Sequence, residues 1–178
     1  AQQRAFTQAA LRRAGISGDV AGAGALLAQK QNLGGQLGNI AENSSLNFNQ
    51  GLTDKLANIV GDASIHLPPD QAKNVSAIAD KILSQVDNSG SMLGTNYQGW
   101  REPLRGMAKG TDATSRYFGQ IRSALDAEFA NQAGAAYQEP ARQYANLKTI
   151  INAMGGPGNL PATGQIPPAQ LSAALARS

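Results

Sequence analysis

Apolar residues recur along this chain at the spacing of an α-helix. Between residues 141 and 154, apolar side chains recur at steps of three and four, at Tyr144, Leu147, Ile151 and Met154. This spacing places them on one face of a helix. The same spacing recurs along most of the sequence, and no stretch alternates apolar and polar residues as a half-buried strand does. The sequence therefore predicts an all-α protein, a multi-helix bundle that we expect to be elongated.

A Gly/Pro-rich stretch separates this stripe from the C-terminal residues. Residues 155–165 read GGPGNLPATGQ, and residues 166–171 read IPPAQL. Pro167 and Pro168 can open a helix, because the N–H groups of a first helical turn lack partners in any case. We therefore predict a helical bundle over 1–154, a linker over 155–165 and a short docking helix over 166–178.

In the first half of the chain, capping residues and breakers predict where helices begin and end. Gly15 is expected to end the first helix and Asp19 to cap the second. Asn47 or Asn49 is expected to cap the third. The prolines within residues 67–70 (LPPD) predict a sharp break before the fourth helix.

In the second half, residues 87–96 (DNSGSMLGTN) are rich in turn formers and are predicted to be a loop. A short fifth helix follows, and Pro103 is expected either to kink it or to start a new turn. Thr111 or Asp112 is expected to cap the sixth, with a buried face of Phe118, Ile121, Leu125 and Phe129. Pro140 is expected either to separate this helix from the Tyr144 helix or to kink one long helix.

Composition narrows the class of protein further. Apolar residues make up 42% of the 178 residues, but many are alanine and aromatics are only 5%, so the buried area per residue is small. The net charge of +3 is well below that of a dedicated DNA-binding domain. Cysteine is absent, and no apolar run approaches the roughly 20 residues that span a membrane. Because the chain starts with AQQRAF, we expect a fragment or a processed product.

No residue pattern predicts catalysis or a cofactor site. His66 is the single histidine, and one imidazole cannot form a metal cage. The carboxylates that glycoside cleavage would need are expected on solvated faces; the candidates are Glu42, Glu102, Glu128 and Glu139. Asp126 lies two residues before Glu128, so the two carboxylates are expected to face different directions on a solvated helix. Residues 34–38 and 109–111 lack the order of a phosphate-binding loop.

Arg101 and Arg105 lie one helical turn apart, close to Tyr97 and Trp100 in sequence. Such a face can contact nucleic acid through phosphate contacts and stacking. Alternatively, it is a solvated helix face with an aromatic ring buried beneath the arginine stems. Glu102 and the low net charge favour the second interpretation.

Five stretches carry a resemblance to a known family: residues 9–16 (AALRRAGI), 34–43 (GGQLGNIAEN), 122–126 (RSALD), 141–150 (ARQYANLKTI) and 166–171 (IPPAQL). In this order they resemble blocks of a loosely defined family of tailed-bacteriophage and prophage proteins. Pro140 and Pro167 depart from the family pattern. Its members are described mostly as phage structural, internal virion or DNA-ejection proteins.

The resemblance implies a non-enzymatic helical component of the virion, inside the capsid or at the portal and tail. Its implied partners are portal, tail or other ejection proteins, copies of itself, genomic DNA and the host envelope membrane after ejection. It assigns no catalytic residue and no cofactor. Alternatives are a peptidoglycan-cleaving accessory domain and a weak nucleic-acid-binding module.

The C-terminal stripe is the expected assembly element. We predict that it packs in the bundle and that residues 166–171 dock on it or on a neighbouring molecule. The residues assigned to this assembly surface are Tyr144, Leu147, Ile151, Met154, Ile166 and Leu171.

Overall fold

Helices dominate the structure, a computed structural model that describes residues 2–18, 22–155, 166 and 168–175. These residues form eight helices and a two-stranded sheet, which confirms the predicted all-α class and the short C-terminal helix. The helices are α1 (Gln2–Arg13), α2 (Ala23–Glu42), α3 (Gln50–His66), α4 (Pro69–Leu83), α5 (Gly94–Ala108), α6 (Ala113–Ala133), α7 (Ala135–Ala153) and α8 (Pro168–Leu175). The strands are β1 (Ser45–Asn47) and β2 (Ser91–Leu93).

The chain divides into two compact units. Unit 1 consists of residues 1–38 and 135–178, and unit 2 consists of residues 39–134. Unit 2 is therefore one continuous segment inserted between the two segments of unit 1. Most of the predicted linker, residues 156–165, lies outside the described residues, as does the predicted cap Asp19.

Unit 1 has a core of aliphatic side chains from both ends of the sequence. Helices α1 and α8 both pack against α7. The fully or almost fully buried members of this core are Leu11, Ala14, Leu26, Leu33, Leu147, Ile150, Ile151, Met154 and Ile166. Since an amphipathic helix is stabilised mainly by burying its apolar face, each of these helices depends on residues distant in sequence.

Unit 2 is built around α6. The predicted buried face of this helix is confirmed, because Phe118, Ile121, Leu125 and Phe129 are all at most 8% exposed. Helices α3, α4 and α5 pack against it. The rings of Tyr97 and Phe129 stack with centroids 4.2 Å apart.

The loop predicted over residues 87–96 is partly wrong, because it contains β2 and the first turn of α5. The two strands pair antiparallel, with Leu46 opposite Met92 and both side chains fully buried. Gln132 extends the pairing, since its side-chain amide accepts from the Asn47 N–H at 2.7 Å and donates to the Asn47 carbonyl at 2.8 Å. Three-residue strands are too short to show alternation in the sequence.

Most of the predicted helix ends agree with the structure. The first helix ends at Arg13, with Gly15 at a φ of +75°, and the LPPD break separates α3 from α4. Asn49, one of the two expected caps, accepts from the Leu52 N–H at 2.9 Å. Pro140 is different: it lies inside α7, and the break from α6 falls at Gly134, whose φ of +66° suits glycine.

Asp112, one of the two residues expected to cap α6, holds its first turn. Its carboxylate accepts from the backbone N–H of Ser115 at 2.8 Å and from the Ser115 hydroxyl. These hydrogen bonds lower the pKa of Asp112 below its usual range, and the bond from the hydroxyl has the larger effect. Because the pKa of Asp112 is lower in the folded state than in the unfolded state, the charged cap stabilises unit 2 at every pH above the ordinary carboxyl pKa. This stabilisation is lost as the pH falls through the folded-state pKa.

We therefore predict that Asp112→Ala lowers the free energy of unfolding at neutral pH and that the difference from the parent protein shrinks in acid. Denaturant unfolding across a pH series measures this. Asp112→Asn is the matched control, because its amide oxygen still caps the helix but does not titrate there. A difference between the parent and Asp112→Ala that is the same at every pH would contradict the prediction.

Candidate functional site

The C-terminal assembly residues lie in the core of unit 1. Leu147, Ile151, Met154 and Ile166 are each at most 4% exposed, and Tyr144 and Leu171 are partly buried against them. Ile166 and α8 thus dock within the chain, which is one of the two arrangements that the sequence allowed. The six residues do not form an open surface, because most of their side-chain surface is buried inside unit 1.

Thr7 holds this docked segment to α1. Its hydroxyl accepts a hydrogen bond from the backbone N–H of Ile166 at 3.1 Å, and its side chain is fully buried. A buried backbone N–H without an acceptor is costly, so this contact fixes where the segment enters the core. Sequence reasoning missed Thr7, and a polar residue at an otherwise apolar helical position was the available signal.

An open groove lies next to this core, within unit 1. It has a volume of about 270 Å³, and its lining residues are Phe6, Ala9, Ala10, Arg13, Asn146, Thr149, Ile150 and Leu171. Phe6 is 36% exposed there, and the Asn146 side chain donates to the Arg13 carbonyl at 2.9 Å. A concave, mainly apolar surface between helices suits the apolar face of another helix.

The Arg101 face in unit 2 is organised around Asp126. The Asp126 carboxylate accepts from the Tyr97 hydroxyl at 2.6 Å, and the Nε atoms of Arg101 and Arg122 lie 3.3 and 3.4 Å from its oxygens. The Arg101 guanidinium also lies over the Tyr97 ring, 5.9 Å from its centroid. Tyr97 itself is 1% exposed, so an aromatic ring is buried beneath the arginine, as in the second interpretation above.

Arg105 does not take part in the Asp126 cluster. Its guanidinium lies 3.0 Å from Glu102, in an ion pair whose carboxylate side chain is 72% exposed. Exposed pairs of this kind contribute little to stability. The two arginines therefore have different environments: Arg101 pairs with the half-buried carboxylate of Asp126, whereas Arg105 pairs with an exposed carboxylate at the surface.

We predict that Asp126→Ala lowers the free energy of unfolding by about 1–3 kcal/mol, because the buried Tyr97 hydroxyl loses its acceptor and two guanidinium groups lose their ion-pair partner. Urea unfolding followed by circular dichroism measures the loss. Glu102→Ala is the matched control, since it also removes an arginine partner, and it should change stability by less than about 0.5 kcal/mol. Equal effects of the two substitutions would show that Asp126 has no special structural role.

The other candidate residues occupy structural positions. The Nδ1 atom of His66 lies 3.2 Å from the Asp62 carboxylate at the end of α3. Glu128, expected on a solvated face, is half-buried and accepts from the side-chain amides of Asn49 and Gln132 at 2.7 and 2.8 Å. Glu139 pairs with Arg142 along α7. Within the described ranges, no group of three or more metal-ligating side chains comes together.

Asp126 is the residue whose role sequence reasoning most underestimated. It was expected on a solvated face, yet it joins Tyr97 and Arg101 of α5 to α6. A carboxylate one helical turn from Arg122 was the local signal, but the contribution of α5 requires the tertiary structure.

Among the described helices, none is long and apolar enough to cross a membrane.

Comparisons of the chain with models of protein families, with curated proteins and with solved structures find no match.

Proposed function

We propose that this chain is a non-enzymatic structural protein of a tailed-bacteriophage particle that assists genome delivery through helix–helix assembly. The proposal places it inside the capsid or at the portal and tail, and after ejection in the host cell envelope. Its partners would be portal, tail or other ejection proteins and further copies of this chain. Contacts with genomic DNA and with the envelope membrane are secondary parts of the same proposal.

The observation that carries the proposal is where the family-like blocks lie. The core of unit 1 contains residues from three of these blocks. They are Leu11 and Ala14 from residues 9–16, Leu147 and Ile150 from residues 141–150, and Ile166 from residues 166–171. Thr7 and Ile166, which are hydrogen bonded, are 159 positions apart. Residues that build a common core are the ones whose pattern persists among distant relatives, so their convergence supports the resemblance.

The physical character of the helices suits passage through a narrow channel. The buried core of unit 1 consists of leucine and isoleucine side chains with one alanine and one methionine, and aromatics make up only 5% of the chain. Because no aromatic ring is among its described buried members, less apolar area per residue must be exposed to open this core than a core with aromatic rings would require. Contacts between helices that follow one another in the chain, such as α3 with α4 and α5 with α6, are local in sequence and form quickly again afterwards.

The test is a mass-spectrometric inventory of purified particles of the phage that encodes this chain, before and after triggered genome release. We expect the protein in intact particles and its loss after release. Absence from intact particles would overturn the proposal. Retention after release would leave a structural role and remove the ejection role.

A matched pair of variants tests whether the unit 1 groove is used for assembly. Phe6→Asp places a charge in the groove at a side chain that is already 36% exposed, so the fold should be retained. We expect several-fold fewer copies of this variant in particles. Ile65→Asp, at a side chain that is 78% exposed on α3 of unit 2, should be incorporated normally. Normal incorporation of Phe6→Asp would remove the groove from the proposal.

A further inference from the structure

A small pocket beside α5 combines side chains that the proposed function does not use. It lies within unit 2 and has a volume of about 280 Å³. Its lining residues are Gln85, Thr95, Asn96, Gly99, Trp100 and Pro103. This set combines the single tryptophan of the chain with neutral hydrogen-bonding side chains, and it includes no charged residue.

The indole ring of Trp100 is held in place as one wall. Its Nε1–H donates to the side-chain oxygen of Gln85 at 2.9 Å, and the side chain is only half-buried. This hydrogen bond fixes the ring and leaves the Gln85 amide nitrogen, which is a donor only, beside the pocket. A fixed, partly exposed aromatic face offers a flat surface with negative partial charge.

Gly99 leaves space in the pocket, and Pro103 removes the helical donor of the Gly99 carbonyl. A Cβ atom added to Gly99 would meet no atom within 4 Å beyond its chain neighbours and the backbone of its own helix, so the lack of a side chain there leaves open space in the pocket. Pro103 has no N–H and lies four residues after Gly99 inside α5. The Gly99 carbonyl therefore lacks its usual helical donor, and Gly99 is one of the residues that line the pocket.

We propose that this pocket binds one ring of a neutral saccharide. The C–H groups on a face of a sugar ring match the negative face of the indole, and its hydroxyls can pair with the Gly99 carbonyl and with the side chains of Gln85, Thr95 and Asn96. A volume slightly below the roughly 300 Å³ at which drug-sized sites begin suits a single ring. A nucleobase could also stack on Trp100, but a nucleotide brings a phosphate, and the lining has no cation to pair with it.

The single tryptophan makes the test direct, because its fluorescence reports on this pocket and on no other site. The full chain is titrated with a trimer of N-acetylglucosamine, with maltotriose and with a single-stranded oligothymidylate, each up to about 10 mM. We expect a saturable change in tryptophan emission with at least one of the sugars. No change with either sugar, or a saturable change with the oligonucleotide alone, overturns the proposal.

Two leucine substitutions on α5 provide the matched comparison. Gly99→Leu fills the pocket, whereas Gly106→Leu adds the same side chain at another open position of the same helix. Both replace glycine by a better helix former, so both should fold. We expect Gly99→Leu to weaken saccharide binding at least about tenfold, as measured by saturation-transfer NMR of the sugar, and Gly106→Leu to leave it unchanged. Equal binding by the two variants overturns the assignment to this pocket. The result is independent of whether the chain is found in virions.

Discussion

Gly94→Ala is expected to destabilise unit 2 by at least about 3 kcal/mol, at the upper end of the range for overpacking. Gly94 is the first residue of α5 and follows β2 directly. A Cβ atom there would lie 1.7 Å from the Ala41 carbonyl oxygen and 2.6 Å from that of Ser44. The Gly94 N–H also donates to the Ser44 carbonyl at 2.9 Å. Because the obstructing atoms belong to the backbone, no side-chain rotation can relieve the contact.

Denaturant unfolding of the variant, with Gly99→Ala on the same helix as control, measures this effect. A Cβ atom at Gly99 meets nothing, and alanine is the better helix former by up to about 1 kcal/mol. Gly99→Ala should therefore be neutral or stabilising. If both alanine variants had the same stability, the close approach of α5 to residues 41–44 would not exist in solution.

Ile166→Ala is expected to cost about 2–5 kcal/mol, the range measured when large aliphatic core side chains are truncated. Ile166 is fully buried in the core of unit 1, although residues 156–165, which precede it, are rich in glycine and proline. Its N–H is held by the buried hydroxyl of Thr7. The substitution keeps this hydrogen bond and removes the side chain that fills the core.

Unfolding curves and amide hydrogen exchange measure the effect, with exchange at Leu147 of α7 reporting on unit 1 in particular. Ile65→Ala is the matched control, because Ile65 is 78% exposed and its truncation should change stability by less than about 0.5 kcal/mol. Removing residues 166–178 should destabilise unit 1 at least as much as Ile166→Ala. Similar stabilities for Ile166→Ala and Ile65→Ala would mean that residues 166–175 are only a tail.

Local signals predicted the helices well, and the reason is visible in α6. Its buried residues Phe118, Ile121, Leu125 and Phe129 follow the helical repeat, and Asp112 caps it with a hydrogen bond three residues along. Both signals involve residues within a few turns of one another. By contrast, β1 and β2 are three residues long, and their partners are more than 40 positions apart, so no local pattern could indicate their pairing.

The candidate sites were less predictable because their members come from different helices. Arg101 and Arg105 are equivalent in the sequence, and only the position of Asp126 on α6 distinguishes them. Trp100 is close to these arginines in sequence, but its pocket also requires Gln85 from beyond the end of α4. The role of Thr7 has no local signature, since its partner Ile166 lies near the other end of the chain.

The helical class, the ends of most helices and the buried stripe over residues 144–154 could be predicted from local sequence patterns. These properties depend on side-chain periodicity and on hydrogen bonds within one or two turns. Three other properties follow from helix packing alone: residues 39–134 form a unit of their own, Ile166 completes the core of unit 1 and Asp126 holds Arg101. Such contacts join residues tens to more than a hundred positions apart, and they depend on how helices pack, which periodicity does not specify.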